Sequence, residues 1–253
     1  MQYVEIELDP FETVIAEAGS FMMMDDTIEM ATIFGDGSHR EENSGLWGKV
    51  LSAGKRLITG ESLFMTAFTH GGSGKKRVSF ASPYPGRIIP LDLTQHGGKI
   101  ICQKDAFLCA AKGVSVGIEF SRKLGRGFFG GEGFIMQKLE GDGLTFLHAG
   151  GTVTRKELAI GETMRVDTGC LVGFTQDVDY DIEMVRGVRN AIFGGEGLFY
   201  ARLQGPGSVW VQSLPFSRLA DRVLRASRHY GGKSKGEGSV LGGLGDLLDG
   251  DNW

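Results

Sequence analysis

Cysteine is scarce and unpaired in this chain. Cys102, Cys109 and Cys170 are the three present, with no paired spacing. That excludes a disulfide-stapled secreted scaffold and fits reduced thiols in a cytosolic protein. No apolar run approaches the ~20 residues that a membrane helix requires. The opening Met1-Gln2-Tyr3-Val4-Glu5 shows neither the basic nor the apolar region of a secretory leader. A cytoplasmic location without an integral membrane segment is therefore expected. The histidines His39, His70, His96, His148 and His229 stand singly, in no H-x-H or H-E-x-x-H pair, so neither a metal nor another cofactor is expected. A net charge of −4 speaks against bulk polyanion binding. Lys75-Lys76-Arg77 is a lone basic trio after Gly71-Gly72-Ser73-Gly74 and reads as a solvated hairpin tip, so nucleic acid is not an expected partner.

Glycine, by contrast, is abundant, at 41 of 253 residues, about twice the usual share. The glycines separate short apolar runs without a Gly-X-Y period, which favours a turn-rich β fold. They also mark an internal repeat. Residues 118–143 recur without a gap at 182–207, with 11 identities over 26 positions at an offset of 64. Ile118-Glu119 returns as Ile182-Glu183, and Phe129-Gly130-Gly131-Glu132-Gly133 as Phe193-Gly194-Gly195-Glu196-Gly197. A third, diverged copy carries Ile28-Glu29 and Gly60-Glu61, with 19 extra residues between its two glutamates. Leu8 to Gly19 and Leu158 to Gly169 start their copies alike. A repeat fixes architecture before any site is considered. The expectation is a single domain over 1–230, with copies at about 1–93, 94–157 and 158–214.

Alternation supplies the secondary structure. Phe174, Val178, Tyr180, Ile182 and Met184 fall on one face and Asp177, Asp179, Asp181 and Glu183 on the other, the period of a half-buried strand. Val114, Val116, Ile118 and Phe120 repeat that pattern. Gly141-Asp142-Gly143 and Gly205-Pro206-Gly207 read as hairpin turns. One helix is predicted over 215–228, with Phe216, Leu219, Ala220, Val223 and Leu224 as its apolar face. A Gly-rich flexible tail, 231–253, ends in leucines among aspartates; it either docks, on a protein partner or in self-association, or stays mobile.

Catalytic patterns fail on context. Gly113-Val114-Ser115-Val116-Gly117 matches a nucleophile elbow, but Ile118-Glu119-Phe120 continues it as a strand. Gly125-Arg126-Gly127-Phe128-Phe129-Gly130 matches a dinucleotide fingerprint without the helix that must follow. Asp177, Asp179 and Asp181 lack the glycine of a calcium loop. What remains is a threefold carboxylate set, Glu61, Glu132 and Glu196, preceded by a basic set, Arg56, Arg126, Arg186 and Arg189. Three carboxylates brought together would raise a pKa or recruit a cation. Carboxylates kept apart would accept local N–H bonds and pair with arginine, and this second reading is favoured.

Several ordered phrases resemble the altered inheritance of mitochondria protein 24 family. They are Leu8-Asp9-Pro10, Glu12-Thr13-Val14-Ile15-Ala16-Glu17-Ala18-Gly19, Gly60-Glu61-Ser62-Leu63-Phe64, Gln103-Lys104-Asp105-Ala106-Phe107-Leu108, the two Gly-Gly-Glu-Gly turns, and Gly205-Pro206-Gly207-Ser208-Val209-Trp210. Phe11 stands where that family commonly carries glycine. The resemblance implies an all-β protein of the Trp RNA-binding attenuation protein-like fold: three tandem β-sandwich repeats about a pseudo-threefold axis, plus the short C-terminal helix. It implies membership of a bacterial type and no established activity. The functional expectation is a non-enzymatic scaffold or protein-interaction module. The alternatives are a small-ligand or ion binder at the repeat interfaces and an enzyme of unrecognised type.

Overall fold

The computed structural model describes residues 1–34, 64–119, 135–184 and 199–230. Strands β1 Tyr3–Leu8, β2 Thr13–Glu17, β3 Phe21–Met24, β4 Ile28–Phe34, β5 Phe64–His70 and β6 Lys76–Ala81 come first. Then follow β7 Gly86–Asp92, β8 Lys99–Gln103, β9 Phe107–Ala111, β10 Ser115–Ile118, β11 Met136–Glu140 and β12 Leu144–Gly150. The last six are β13 Val153–Leu158, β14 Thr163–Asp167, β15 Leu171–Thr175, β16 Asp179–Met184, β17 Phe199–Gln204 and β18 Gly207–Gln212. Helix α1, Phe216–Tyr230, is the α-helix among the described residues, so the protein is all-β with one C-terminal helix. The sheets belong to one compact unit, Met1–Ser217, and a second unit starts at Arg218.

The pairing is antiparallel and follows one scheme in each group of six. The first and third strands flank the sixth, and the second and fourth flank the fifth. The groups start at Tyr3, Gly86 and Val153. The copy boundaries expected near 94 and 158 therefore fall one strand into the second and third groups. Adjacent groups fuse where the second strand of one pairs with the third strand of the next. Val14, Ile15 and Ala16 of β2 face Ala111, Ala110 and Cys109 of β9. Ile100, Ile101 and Cys102 of β8 face Thr175, Phe174 and Gly173 of β15. The result is two six-stranded sheets, β4-β5-β2-β9-β12-β7 and β10-β11-β8-β15-β18-β13, and two three-stranded ones, β1-β6-β3 and β14-β17-β16. Closure about a threefold axis expects a third junction, β14 with β3. These two strands end separate sheets and do not pair.

Three buried cores lie between the sheets, and each draws on neighbouring groups. Leu8, Phe68, Val78 and Phe80 of the first group share a core with Leu108 and Cys109 of the second. Ile100, Phe107 and Leu147 share theirs with Ile15 of the first group and Val172 and Trp210 of the third. Leu158, Phe174 and Leu203 share theirs with Ile101 and Met136 of the second. Period-two alternation explains this: a strand in the middle of the stack buries both faces, so successive residues enter different cores.

Two sequence expectations change. The Gly141 and Gly207 turns are not hairpins: β11 and β12, like β17 and β18, lie in different sheets, so each turn carries the chain across the sandwich. Both glycines have positive φ, 146° and 142°. A Cβ there would sit 2.6 Å from Gly113 O or 2.4 Å from Thr175 Oγ1. Phe174 to Met184 is not one strand either. A turn closed by Val178 N donating to Thr175 O separates β15 from β16. Phe174 of β15 and Val178 of the turn itself still enter the same core, which is why the alternation ran on through the turn.

The like starts at Leu8 and Leu158 fold alike. Asp9 N donates to Glu12 Oε2 at 2.8 Å and Ala159 N to Glu162 Oε2 at 2.8 Å. Glu12 N bonds Asp9 O and Glu162 N bonds Ala159 O, each at 3.0 Å. Phe11 adopts φ 70° where Gly161 adopts 77°.

Candidate functional site

The three third-strands show one group treated differently from the others. Each carries a bulge at its second residue: Met22, Leu108 and Val172 are skipped in the pairing with the sixth strand. Leu108 is fully buried in the core of the group before its own, with Val14 and Ala16. Val172 is fully buried in the core of the group before its own, with Ile100 and Cys102. Met22 belongs to the first group. It is 49% exposed, with Met23 at 45% and Phe21 at 39%, although Phe21 also stacks on Phe68 at 5.5 Å.

The opposite end of the stack mirrors this. The middle residues of β2 and β8 are buried in their junctions. In β14 the equivalents are half-buried Met164 and Val166, packed against the third core, with exposed Arg165 between them. Arg165 lies over the Tyr200 ring at 5.2 Å.

Four other sheet edges carry charges or a proline, which discourage pairing. β1 has Glu5 and Glu7; β7 has Arg87, Pro90 and Asp92; β13 has Arg155, Lys156 and Glu157; β16 has Asp179, Asp181 and Glu183. The Phe-Met-Met-Met run of β3 has none; the edge strand β10 also has none, but its residues are buried or half-buried, whereas three of the four in β3 are exposed.

At the β2–β9 junction sits a perturbed acid. Burial is the main cause that pushes the Glu17 carboxyl up to about 7; Asp105 adds to it, and Lys104 opposes. Nearby Tyr84 is pushed up to about 12, again chiefly by burial. Its ring meets His148 edge-on at 4.2 Å and tilts against Phe216 at 5.2 Å. His148 Nε2 donates to Tyr84 O at 3.3 Å, and Nδ1 is buried without a hydrogen-bond partner among the described residues. Burial holds this imidazole below its ordinary pKa, hence neutral. The Cys102 and Cys109 thiols are also pushed up by burial, which makes them poor nucleophiles. This arrangement can hold a proton on Glu17 near neutrality, but it joins no nucleophile to a base.

A shallow groove of about 350 Å³ lies against Asp92, Gln95, Leu144, Arg155 and Trp210. Arg155 sits 5.4 Å from the Trp210 ring, and its guanidinium is already engaged by Glu157 at 2.7 Å and Ser208 at 2.9 Å. Among the described residues no cluster of His, Cys, Asp and Glu is suited to a metal ion, and no helix is long and apolar enough to cross a membrane.

The profile of the family described as mitochondrial biogenesis AIM24 matches residues 1–214. The chain belongs to the AIM24 family. An uncharacterized protein of Streptococcus pyogenes serotype M6 is 29% identical over 224 residues, spanning 88% of this chain and 85% of its own. The fold is that of the crystal structure of a Streptococcus pyogenes protein, with a TM-score of 0.69, 24% identity, and coverage of 88% and 94% of the two chains.

In this AIM24-family chain the sequence-derived sets Glu61, Glu132, Glu196 and Arg56, Arg126, Arg186, Arg189 lie outside the described residues, as does the tail 231–253. Ser115 of the elbow-like pattern opens strand β10. The basic trio leads into β6 opposite an acidic strand: Lys75 pairs with Glu7 at 2.7 Å, and Arg77 lies 3.5 Å from Glu5. Sequence reasoning missed the β3 edge and Glu17. The signal for β3 was the alignment of Phe21 with Phe107 and Leu171. Glu17 lay inside a quoted phrase, but the charges that act on it, Asp105 and Lys104, belong to a different group.

Proposed function

We propose that this chain is a non-catalytic interaction module, a scaffold that works by pairing its free sheet edges. One observation carries the reading: β3 is apolar, uncharged and exposed, whereas its counterparts β9 and β15 are buried through their junctions. An edge of this kind is a template for another strand. The absence of a nucleophile–base pair around Glu17, Tyr84 and His148 supports the same reading over an enzyme. The sparse cysteines, with Cys102 and Cys109 buried as thiols, fit residence in a reducing cytoplasm.

The test is native-size fractionation of cell extract containing the full chain at its natural level. The wild type should run well above one chain's 27.3 kDa. Met22→Lys combined with Met23→Lys, which places charge on the edge, should run at the single-chain size with unchanged circular dichroism. A wild type that runs as one chain in extract would overturn the proposal.

A further inference from the structure

We propose that the partner of β3 is β14 of a second copy of this chain, so that copies join head to tail through a repetition of the two junctions inside each chain. This rests on the reading of β3 as an interaction edge and names its occupant. Both internal junctions have the same construction. The second strand of one group pairs antiparallel with the third strand of the next, and the bulge residue of that third strand enters the core beneath. Val14 and Ala16 receive Leu108, and Ile100 and Cys102 receive Val172. The third group offers the matching receptor, Met164 and Val166 on a half-covered core, and the first group offers the matching insert, Met22. Within the chain these halves end separate sheets. A second copy supplies each with its complement.

Transferring the internal register places Met164 opposite Asp25, Arg165 opposite Met24 and Val166 opposite Met23. Because insert and receptor are different surfaces, the contact is heterologous. It continues from copy to copy into a ring or an open array instead of stopping at a symmetric dimer.

Two edge-blocked variants of the purified full-length chain test this. Met23→Glu blocks β3 and leaves β14 intact; Val166→Lys does the reverse. Each alone should have single-chain mass by light scattering, the wild type should form species larger than a dimer, and the equimolar mixture should form a one-to-one dimer through the one intact pair of edges. If Val166→Lys loses its circular dichroism signal, Arg165→Glu at the exposed neighbouring position takes its place. Three results would overturn the proposal. Homodimers of either variant would show symmetric pairing. A wild type of single-chain mass whose β3 and β14 amides resist hydrogen exchange would show closure within the chain. A purified wild type of single-chain mass with fast-exchanging edge amides, beside a large assembly in extract, would show a different partner; there the interaction-module reading survives and self-pairing fails.

Discussion

Phe11 is the residue where sequence and backbone disagree most openly. It holds φ 70°, a left-handed conformation that costs an L-residue about 1–2 kcal/mol and glycine nothing. Its side chain is 81% exposed, so little packing offsets that strain. Phe11→Gly should raise unfolding stability by about 1 kcal/mol in urea titration; an unchanged or lower midpoint would show that the ring matters. Glu17 sets a pH response. Below pH 4.5 its carboxyl is protonated in both the folded and the unfolded chain, and between 4.5 and about 7 only the unfolded chain gives up the proton. Folding stability is therefore full at low pH and falls as pH rises through that window. Allowing for partial solvent screening, the loss is on the order of 2 kcal/mol. Glu17→Gln should match the wild type at pH 4 and exceed it at pH 8, measured by denaturant midpoint. At this scale the sequence revealed the turn glutamates, because Glu12 and Glu162 act within four residues. It hid Glu17, whose carboxyl is raised chiefly by burial in the folded stack and then by Asp105 from another group.

At the scale of strands, the period-two pattern located most elements, because a β-strand shows its burial in its own residues. The order of strands across sheets was not legible in the same way. Gly141 and Gly205 looked like hairpin turns since a crossing between stacked sheets uses the same glycines as a return within one. What distinguishes them is the partner strand, which lies far away in sequence. The approach of β7 to β12 is another such case. Gly86 and Gly150 face each other across that pair, and a Cβ on Gly150 would lie 1.9 Å from Leu214 O and 2.9 Å from the Tyr84 ring. Gly150→Ala should lower stability by at least about 3 kcal/mol, since a carbonyl cannot rotate away as a side chain can. Gly117→Ala is the control. Its nearest neighbour is the flexible Lys138 side chain at 3.3 Å, and calorimetry should find it close to the wild type.

For the whole molecule, the sharing of sheets predicts cooperative behaviour. Neither six-stranded sheet belongs to a single group, and each core holds residues from at least two. Heating should therefore unfold the β unit in one calorimetric transition, with equal calorimetric and van't Hoff enthalpies; separate melting of three groups would contradict the interlaced cores. The repeat was visible in the sequence because 118–143 and 182–207 preserve their glycines, and the family followed from phrases spread along the chain. The two ends of the stack that lack a strand partner among the described residues were not visible. An edge is defined by a strand that is missing, and no local pattern records that.

The interlacing also decides how such a protein can change over evolutionary time. The seam in the gene, near residue 85 or 151, is not a seam in space, because strands on either side are knitted into one sheet. Deleting a stretch of coding sequence that begins and ends at arbitrary points would tear a sheet lengthwise. Loss or gain of one complete six-strand unit would instead bring a second strand and a third strand together again at the splice. Lineages carrying this architecture are thereby steered toward lengths that step by whole units, while the termini and the connections between fourth and fifth strands are left to vary in size.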